Sequence, residues 1–166
     1  NIRVHEGEHL SFSALPGLQC QVMGLPGHTL DHIAYLVDGQ HLFSGDVIFG
    51  AGCGRLFEGT PAQMYQSLQR IAALPETTLL YPAHESTAHN IAFALTVDPD
   101  NEALRQRAAS TSVLRAQALP TLPTSVGQEK NTNPFLRCTQ LVKLPAFSHL
   151  TPLELFTELR TRRNSF

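Results

Sequence analysis

The chain has 166 residues, of which 42% are hydrophobic and 16% charged. This length and composition suit one folded core with a small appendage, and they exclude an intrinsically disordered protein. The 12 basic and 14 acidic residues give a net charge of −2, which excludes a global positive field that would hold nucleic acid or an anionic membrane. The longest apolar stretch, Ile91 to Val97, is far shorter than the ~20 residues needed to cross a bilayer.

Cysteine usage points to a reducing compartment. Cys20, Cys53 and Cys138 are odd in number and widely spaced, and no two form a Cys-x-x-Cys pair. Such a pattern argues against a disulfide framework, so we expect the protein in the cytoplasm. The chain begins at Asn1 with neither an initiator Met nor a signal peptide, and we therefore expect it to be part of a longer protein.

Residues 1–81 predict a part that is mostly β-sheet. Short apolar runs separated by Gly, Pro and Asp are typical of strands. The predicted strands are Ile2–Val4, Leu10–Ala14, Leu18–Met23, His32–Val37, His41–Phe43 and Thr77–Tyr81. The pair Asp38-Gly39 lies between two of these runs, which predicts a hairpin over residues 33–44.

Helices are predicted from capping signals and apolar spacing. Thr60-Pro61-Ala62-Gln63 is a capping box with proline at the first helical position, and it predicts a helix over Pro61–Ala73. Further helices are expected over Ser86–Val97 and over Asn101–Ala118, the second capped by Asp100.

The last part of the chain reads as a loop followed by one more helix. The Pro/Thr/Asn-rich stretch Leu119–Pro134 predicts a loop. Thr151-Pro152-Leu153-Glu154 is a second capping box, which predicts a short helix whose last turn holds Arg160, Arg162 and Arg163.

Three side chains of the kinds that bind metals follow predicted strands, namely His28, Asp46 and His84. Imidazole and carboxylate suit a divalent ion such as Zn²⁺, and a carboxylate has two oxygens with which to bridge a pair of ions. For each residue taken alone, a turn His or a turn Asp is the favoured interpretation. The spacing of the three is weak evidence, unlike a helical His-Glu-x-x-His motif.

The segment Gly50–Thr60 is unusually rich in glycine, with three glycines in five residues. Glycines permit close backbone approach or a positive φ. The segment is not a phosphate-binding loop, because Arg55-Leu56 stands where a Walker motif requires Lys-Ser/Thr. No base or helix start is identifiable beside Cys53, which favours a structural cysteine over a nucleophile.

Five segments carry a resemblance to a known family. They are Gly27-His28-Thr29 with His32, Phe43-Ser44-Gly45-Asp46, the Ala51–Thr60 run beginning Ala-Gly-Cys-Gly-Arg, His84-Glu85, and Asn133-Pro134-Phe135-Leu136-Arg137. Together they resemble glyoxalase II, the hydroxyacylglutathione hydrolase branch of the metallo-β-lactamase superfamily. The resemblance covers nearly the whole chain in order.

The resemblance implies an α/β fold, the metallo-β-lactamase αββα sandwich. Residues 1–85 would form the second half of that domain, and residues 86–166 a C-terminal helical domain that binds glutathione. It implies two divalent metal ions, zinc with iron or manganese as alternatives. His28 would bind the first ion, His84 the second, and Asp46 would bridge them, while His32 resembles a family position but is interpreted as a packing residue.

The reaction implied is hydrolysis of S-D-lactoylglutathione to D-lactate and glutathione, with a metal-activated water as nucleophile. The family's glutathione-contact positions are matched by Arg55, Phe57, Arg160 and Arg163. The simpler interpretation of Arg160 and Arg163 is that they are solvated charges at a helix end. From the net charge and the short apolar runs we expect no nucleic-acid or membrane partner, and we expect a monomer when full length.

Two departures from the family pattern limit the expectation for this chain alone. The motif Thr-His-x-His-x-Asp-His, which supplies further metal ligands, does not occur in the sequence. The chain therefore looks like the C-terminal part of the enzyme and is expected to be inactive by itself. In addition, Ser86 stands where the family usually has Tyr. The alternatives are another superfamily enzyme, such as a glutathione persulfide dioxygenase, and a non-catalytic fragment.

Overall fold

The structure is a computed structural model that describes residues 2–166, so Asn1, where the predicted β-rich part begins, lies outside the described residues. The strands are β1 (His9–Leu10), β2 (Cys20–Gly24), β3 (Ile33–Val37), β4 (His41–Gly45), β5 (Ile48–Phe49), β6 (Gly52–Cys53), β7 (Leu79–Pro82) and β8 (Thr124–Ser125). The helices are α1 (Pro61–Ala72), α2 (Thr87–Val97), α3 (Glu102–Ala116), α4 (Val126–Thr132), α5 (Cys138–Leu141) and α6 (Pro152–Asn164).

Six strands form one mixed sheet in the order β1-β2-β3-β4-β7-β8, and β5 pairs with β6 in a separate ribbon. All neighbours in the large sheet are antiparallel except β4 and β7, which run parallel. A parallel pair needs a crossover connection, and α1 lies within it. Strands β2, β4 and β7 consequently point the same way, so the segments that follow them emerge at one edge of the sheet.

One face of the sheet is buried under helices α1 and α6. The alternating pattern of β3 directs Ala34 and Leu36 to this side, which is the expected behaviour of a half-buried strand. Sheet residues in this core are Met23, Ala34, Leu36, Leu42 and Leu80. The helical residues that pack in the same core include Met64, Leu68, Ile71, Leu155, Phe156 and Leu159.

The opposite face of the sheet carries aromatic side chains and is only partly covered. Phe43 stacks on Tyr81 with ring centroids 4.9 Å apart, yet Phe43 remains 48% exposed. A groove of about 520 Å³ runs over this face, between Tyr35 and Phe43 of the sheet and apolar side chains of the segment before β2 such as Ile2 and Phe12.

Most predicted elements are confirmed, with shifted ends. The hairpin forms between β3 and β4, with positive φ at Asp38 and Gly39. Both capping boxes are present, at Thr60 and at Thr151. Helices α2 and α3 lie within the stretches predicted for them.

Four predictions are wrong in detail. Residues Ile2–Val4 form no strand, and only Leu10 of the predicted Leu10–Ala14 run is in β1. The cap of α3 is Asn101 rather than Asp100, because the Asn101 side chain accepts the hydrogen bond from the Leu104 amide. Residues 119–134 are not only a loop, since they contain β8 and α4.

Among residues 2–166 the structure contains no helix with the length and hydrophobicity that a membrane span requires.

Candidate metal centre

The three predicted metal-type residues meet at one edge of the sheet. His28, Asp46 and His84 follow β2, β4 and β7, which all end there. Asp46 lies between the two imidazoles, with Oδ1 3.1 Å from Nε2 of His84 and Oδ2 4.0 Å from Nε2 of His28. The backbone fixes this arrangement on one side, because the Ala83 amide donates to the Gly45 carbonyl at 3.0 Å.

The tautomer of neutral His28 follows from its hydrogen bond. Nδ1 lies 2.8 Å from the carbonyl oxygen of Arg55, which can only accept, so Nδ1 carries the proton. The lone pair of Nε2 is then available on the side of Asp46. Hydrogen bonding of the distal nitrogen to a backbone carbonyl is the usual way in which a metal-binding histidine is oriented.

His32 is placed as a packing residue rather than a ligand. Its Nε2 lies 3.0 Å from the carbonyl of Ser44 and is therefore engaged. A methyl group on Gly45 would lie 2.8 Å from the His32 ring, and Gly45 has φ +58°, so both the ring and the turn require glycine there.

The donor set is incomplete for a closed site. Over residues 2–166, no three or more His, Cys, Asp or Glu side chains are grouped so that they could hold a metal ion. Two imidazoles and a carboxylate between them fit a pair of divalent ions chemically, but a catalytic zinc ordinarily takes three protein ligands.

The glycine-rich loop, which we define as residues Gly50–Arg55, lies directly behind this centre. The glycines serve close backbone approach, most clearly at Gly54. A Cβ atom built there would lie 1.9 Å from the carbonyl oxygen of Asp46, and the Gly54 amide donates to the Val47 carbonyl at 3.2 Å. The one left-handed residue of the loop is Ala51, with φ +56°.

Buried polar side chains from the helical part hold the glycine-rich loop. Asn90 donates to the carbonyl of Gly50 at 3.0 Å. Glu129 accepts from the amide of Ala51 at 2.8 Å, and Asn133 donates to the carbonyl of Gly52 at 3.0 Å. Further along, Arg160 Nη1 donates to the carbonyl of Cys53 at 2.8 Å. Each residue from Gly50 to Cys53 therefore has one backbone polar group bound by a side chain.

Glu129 is a residue that the sequence reasoning missed. It is fully buried and forms an ion pair with Arg107, which is also buried, at 2.6 Å. A signal was present in the sequence, because Ser125-x-x-Gln128 has the spacing of a capping box. In the structure Ser125 does cap α4 and thereby places Glu129 on the helix.

Of the four predicted glutathione-contact residues, Phe57 and Arg55 contact His28, whereas Arg160 contacts the glycine-rich loop and Arg163 contacts Asn90. Phe57 is 66% exposed, and its ring centroid lies 4.9 Å from that of His28. Arg55 is exposed, Arg163 is half-buried, and Arg160 is buried with its guanidinium on the loop carbonyls. None of the three arginines has a carboxylate within ion-pairing distance in the part of the chain that the structure describes.

The arginines are close enough to influence one another. Burial lowers the pKa of the Arg163 guanidinium, and the charges of Arg160 and Arg55 lower it further. Arg163 also donates to the side chain of Asn90 at 3.1 Å. An uncompensated cationic cluster of this kind favours a carboxylate ligand.

The cysteines are free and buried, as the sequence predicts. Burial raises the pKa of the Cys53 thiol, and Arg160 offsets this only in part. Burial likewise raises the pKa of Cys138 to about 12. Both thiols are therefore neutral at physiological pH, which agrees with a structural rather than a nucleophilic Cys53.

The amino-acid sequence of the chain is similar to those of hydroxyacylglutathione hydrolases. The family described as "Hydroxyacylglutathione hydrolase C-terminus" matches residues 85–166. The hydroxyacylglutathione hydrolase of Shewanella loihica is 66% identical over 119 residues, which are 72% of this chain and 45% of that protein. That of Methylobacillus flagellatus is 51% identical over 156 residues, 92% of this chain and 62% of the relative. The chain thus spans about half the length of the curated relatives it matches.

Solved structures agree on the fold. A metallo-β-lactamase from Staphylococcus aureus superposes with a TM-score of 0.55 at 22% sequence identity. The superposition covers 96% of this chain and 42% of the metallo-β-lactamase chain. A protein solved in a di-iron-bound form superposes with a TM-score of 0.52 at 28% identity, covering 82% and 49%. The fold is that of metallo-β-lactamases, and the chain matches the C-terminal part of hydroxyacylglutathione hydrolases.

Proposed function

We propose that this chain is the substrate-binding and partly metal-binding portion of a hydrolase that cleaves S-D-lactoylglutathione to D-lactate and glutathione. One observation carries the proposal. Asp46 lies between His28 and His84, with its two oxygens directed to different imidazoles, and an exposed aromatic ring and unpaired arginines adjoin this centre. The identity of 51–66% to hydroxyacylglutathione hydrolases supports the substrate class.

In this proposal His28 and His84 would each hold one of two divalent ions, and Asp46 would supply a carboxylate oxygen to each. The ions would be zinc, with iron or manganese as alternatives. When bound, two such ions lower the pKa of a water molecule and polarise the acyl carbonyl. The Arg55 carbonyl keeps the proton of His28 on Nδ1, so that Nε2 remains a ligand. Further ligands come from a part of the protein beyond the described residues, or from water.

The substrate contacts follow from charge and exposure. Glutathione carries two carboxylates, and we propose that Arg55 and Arg163 bind them with charge-assisted hydrogen bonds. Arg160 adds its charge from behind the loop, because its own hydrogen bonds are made to Cys53 and Gly54. Phe57 offers an exposed apolar face beside His28. Because a thiol of pKa ~8.5 leaves readily as a thiolate, no strong general acid is required.

We also propose that residues 1–85 bind the metal ions and that residues 86–166 contribute to glutathione binding. Residues 1–85 carry all three metal-type side chains, and residues 86–166 carry Arg160 and Arg163. The three free cysteines fit a reducing compartment, so we place the protein in the cytoplasm.

Asp46→Asn tests the metal centre. In a full-length protein that includes this chain, the amide keeps the shape but replaces one acceptor oxygen with a donor, so the zinc content measured by elemental analysis should fall to a trace. Asp100→Asn is the matched control, because it removes the same charge from a side chain that is 97% exposed. Equal zinc in both variants would refute the role of Asp46.

Arg163→Ala tests substrate binding. The substitution is made in a protein that includes this chain and has the full length of the relatives. In the proposed role Arg163 binds a glutathione carboxylate that takes no part in the reaction, so KM for lactoylglutathione should rise while kcat changes less. The 166-residue chain alone, loaded with Zn²⁺, should show no comparable turnover. A fall in kcat at constant KM would place Arg163 in the chemistry and contradict the binding role.

A further inference from the structure

We infer that Glu129 is a positioning residue for His28, acting through the glycine-rich loop. Its consequence for catalysis rests on the proposed function, but its effect on His28 can be measured without any activity. Glu129 lies in α4, whereas His28 follows β2 at the far end of the loop. A continuous series of contacts connects Glu129 with His28.

The first step is the saturation of the Glu129 carboxylate. Oε1 accepts from Arg107 at 2.6 Å and from Thr124 at 2.7 Å. Oε2 accepts from the amide of Ala51 at 2.8 Å and from Asn133 at 2.9 Å. A fully buried carboxylate with four donors has one preferred position and orientation, so it can act as a fixed reference point for the backbone it touches.

The second step is the conformation of the loop that Glu129 touches. Ala51 is fully buried and has φ +56°, which L-residues seldom adopt. Its buried amide needs an acceptor, and Glu129 is that acceptor. Glu129 also holds Asn133, which donates to the carbonyl of the next residue, Gly52. One carboxylate therefore fixes two successive residues of the loop.

The third step is the contact between the glycine-rich loop and the metal centre. From Gly52 the chain runs through Cys53 to Gly54, whose amide donates to Val47, the neighbour of Asp46. The next carbonyl, that of Arg55, accepts the proton of His28 Nδ1 at 2.8 Å. If the loop moves, this acceptor is lost and neutral His28 can carry its proton on Nε2, where it blocks coordination.

Glu129→Gln is the informative substitution because it preserves size. Its NH₂ group must face either the amide of Ala51 and the donor of Asn133, or the guanidinium of Arg107. Both arrangements put donor against donor. Thr124→Val is the matched control, because it removes a hydrogen bond from Oε1, the oxygen that does not touch the loop.

The experiment is ¹⁵N NMR of the 166-residue chain labelled at histidine and freed of metal by chelator, at about pH 8, above the unperturbed imidazole pKa of ~6.5. The His28 signals are identified among those of the 8 histidines by their loss in His28→Asn. The parent chain and Thr124→Val should show Nδ1 protonated. Glu129→Gln should show a mixture of tautomers and bind Zn²⁺ about 10–100-fold more weakly, the usual effect of losing an outer partner.

If Glu129→Gln does not fold, Asn133→Ala carries the same expectation, because it withdraws the donor to Gly52. An unchanged His28 tautomer in a folded Glu129→Gln or Asn133→Ala variant would overturn the inference. A changed tautomer supports it even in a protein that hydrolyses no thioester, so its outcome and that of the proposed function are separate.

Discussion

Gly54→Ala is the substitution whose effect the structure specifies most directly. The new methyl carbon would lie 1.9 Å from the carbonyl oxygen of Asp46. Because non-bonded carbon and oxygen do not approach closer than about 3 Å, the loop and the Asp46 backbone must separate by roughly 1 Å. That displacement breaks the 3.2 Å bond from Gly54 to Val47. Overpacking costs about 1–3 kcal/mol and the lost hydrogen bond about 1 kcal/mol more, so we expect the free energy of unfolding to fall by ~2–4 kcal/mol.

Urea unfolding followed by circular dichroism measures this loss. Gly24→Ala is the matched control, because the nearest contacts of its new methyl, from 3.1 Å, are all with the side chain of exposed Glu6 rather than with a backbone atom. The control should change the free energy of unfolding by less than about 1 kcal/mol. Zinc binding should also weaken in Gly54→Ala, since Asp46 and His28 both contact the displaced segment. A variant as stable as the parent chain would refute the close-approach argument.

Three further predictions concern stability. Arg107→Met leaves the buried charge of Glu129 unpaired and should lower the unfolding free energy in urea by about 3–5 kcal/mol; adding Glu129→Leu should restore only part of it, because the Ala51 amide then lacks its acceptor. Burial raises the pKa of Cys138 to about 12 from 9.0; above pH 9 the unfolded chain therefore binds fewer protons than the folded one, and stability falls as pH rises. The loss between about pH 8 and pH 10 should be ~1.4 kcal/mol smaller in Cys138→Ala, and an equal loss would exclude this thiol as the cause. Thr151→Ala removes the N-cap of α6 and should cost ~1 kcal/mol, with faster amide exchange confined to the first turn; protection equal to that of the parent would contradict it.

The helix starts and the hairpin could be predicted from sequence because their chemistry is local. Thr60 and Thr151 each bond to a residue three positions ahead, so a short window contains both partners. Asp38 and Gly39 tolerate positive φ wherever they occur. By contrast α4 was missed, because Gly127 and the threonines around it have weak helix propensity and the Ser125 cap was the only strong signal.

The sequence identified the metal-type residues, but it did not predict that they lie close together in space. His28 and His84 are 56 positions apart, and no local spacing relates them. Their meeting at Asp46 depends on β2, β4 and β7 pointing the same way, which the parallel pairing of β4 with β7 decides.

The residue types of the centre, the capped helices and the family resemblance can all be inferred from the amino-acid order. The buried contacts of Arg107, Glu129 and Arg160 cannot, because each depends on how distant segments pack in three dimensions. Glu129 meets the amide of Ala51 across 78 positions, and Arg160 meets the carbonyl of Cys53 across 107. A buried charge is stable only where partners converge on it, and that convergence is a property of packing between distant segments rather than of local sequence.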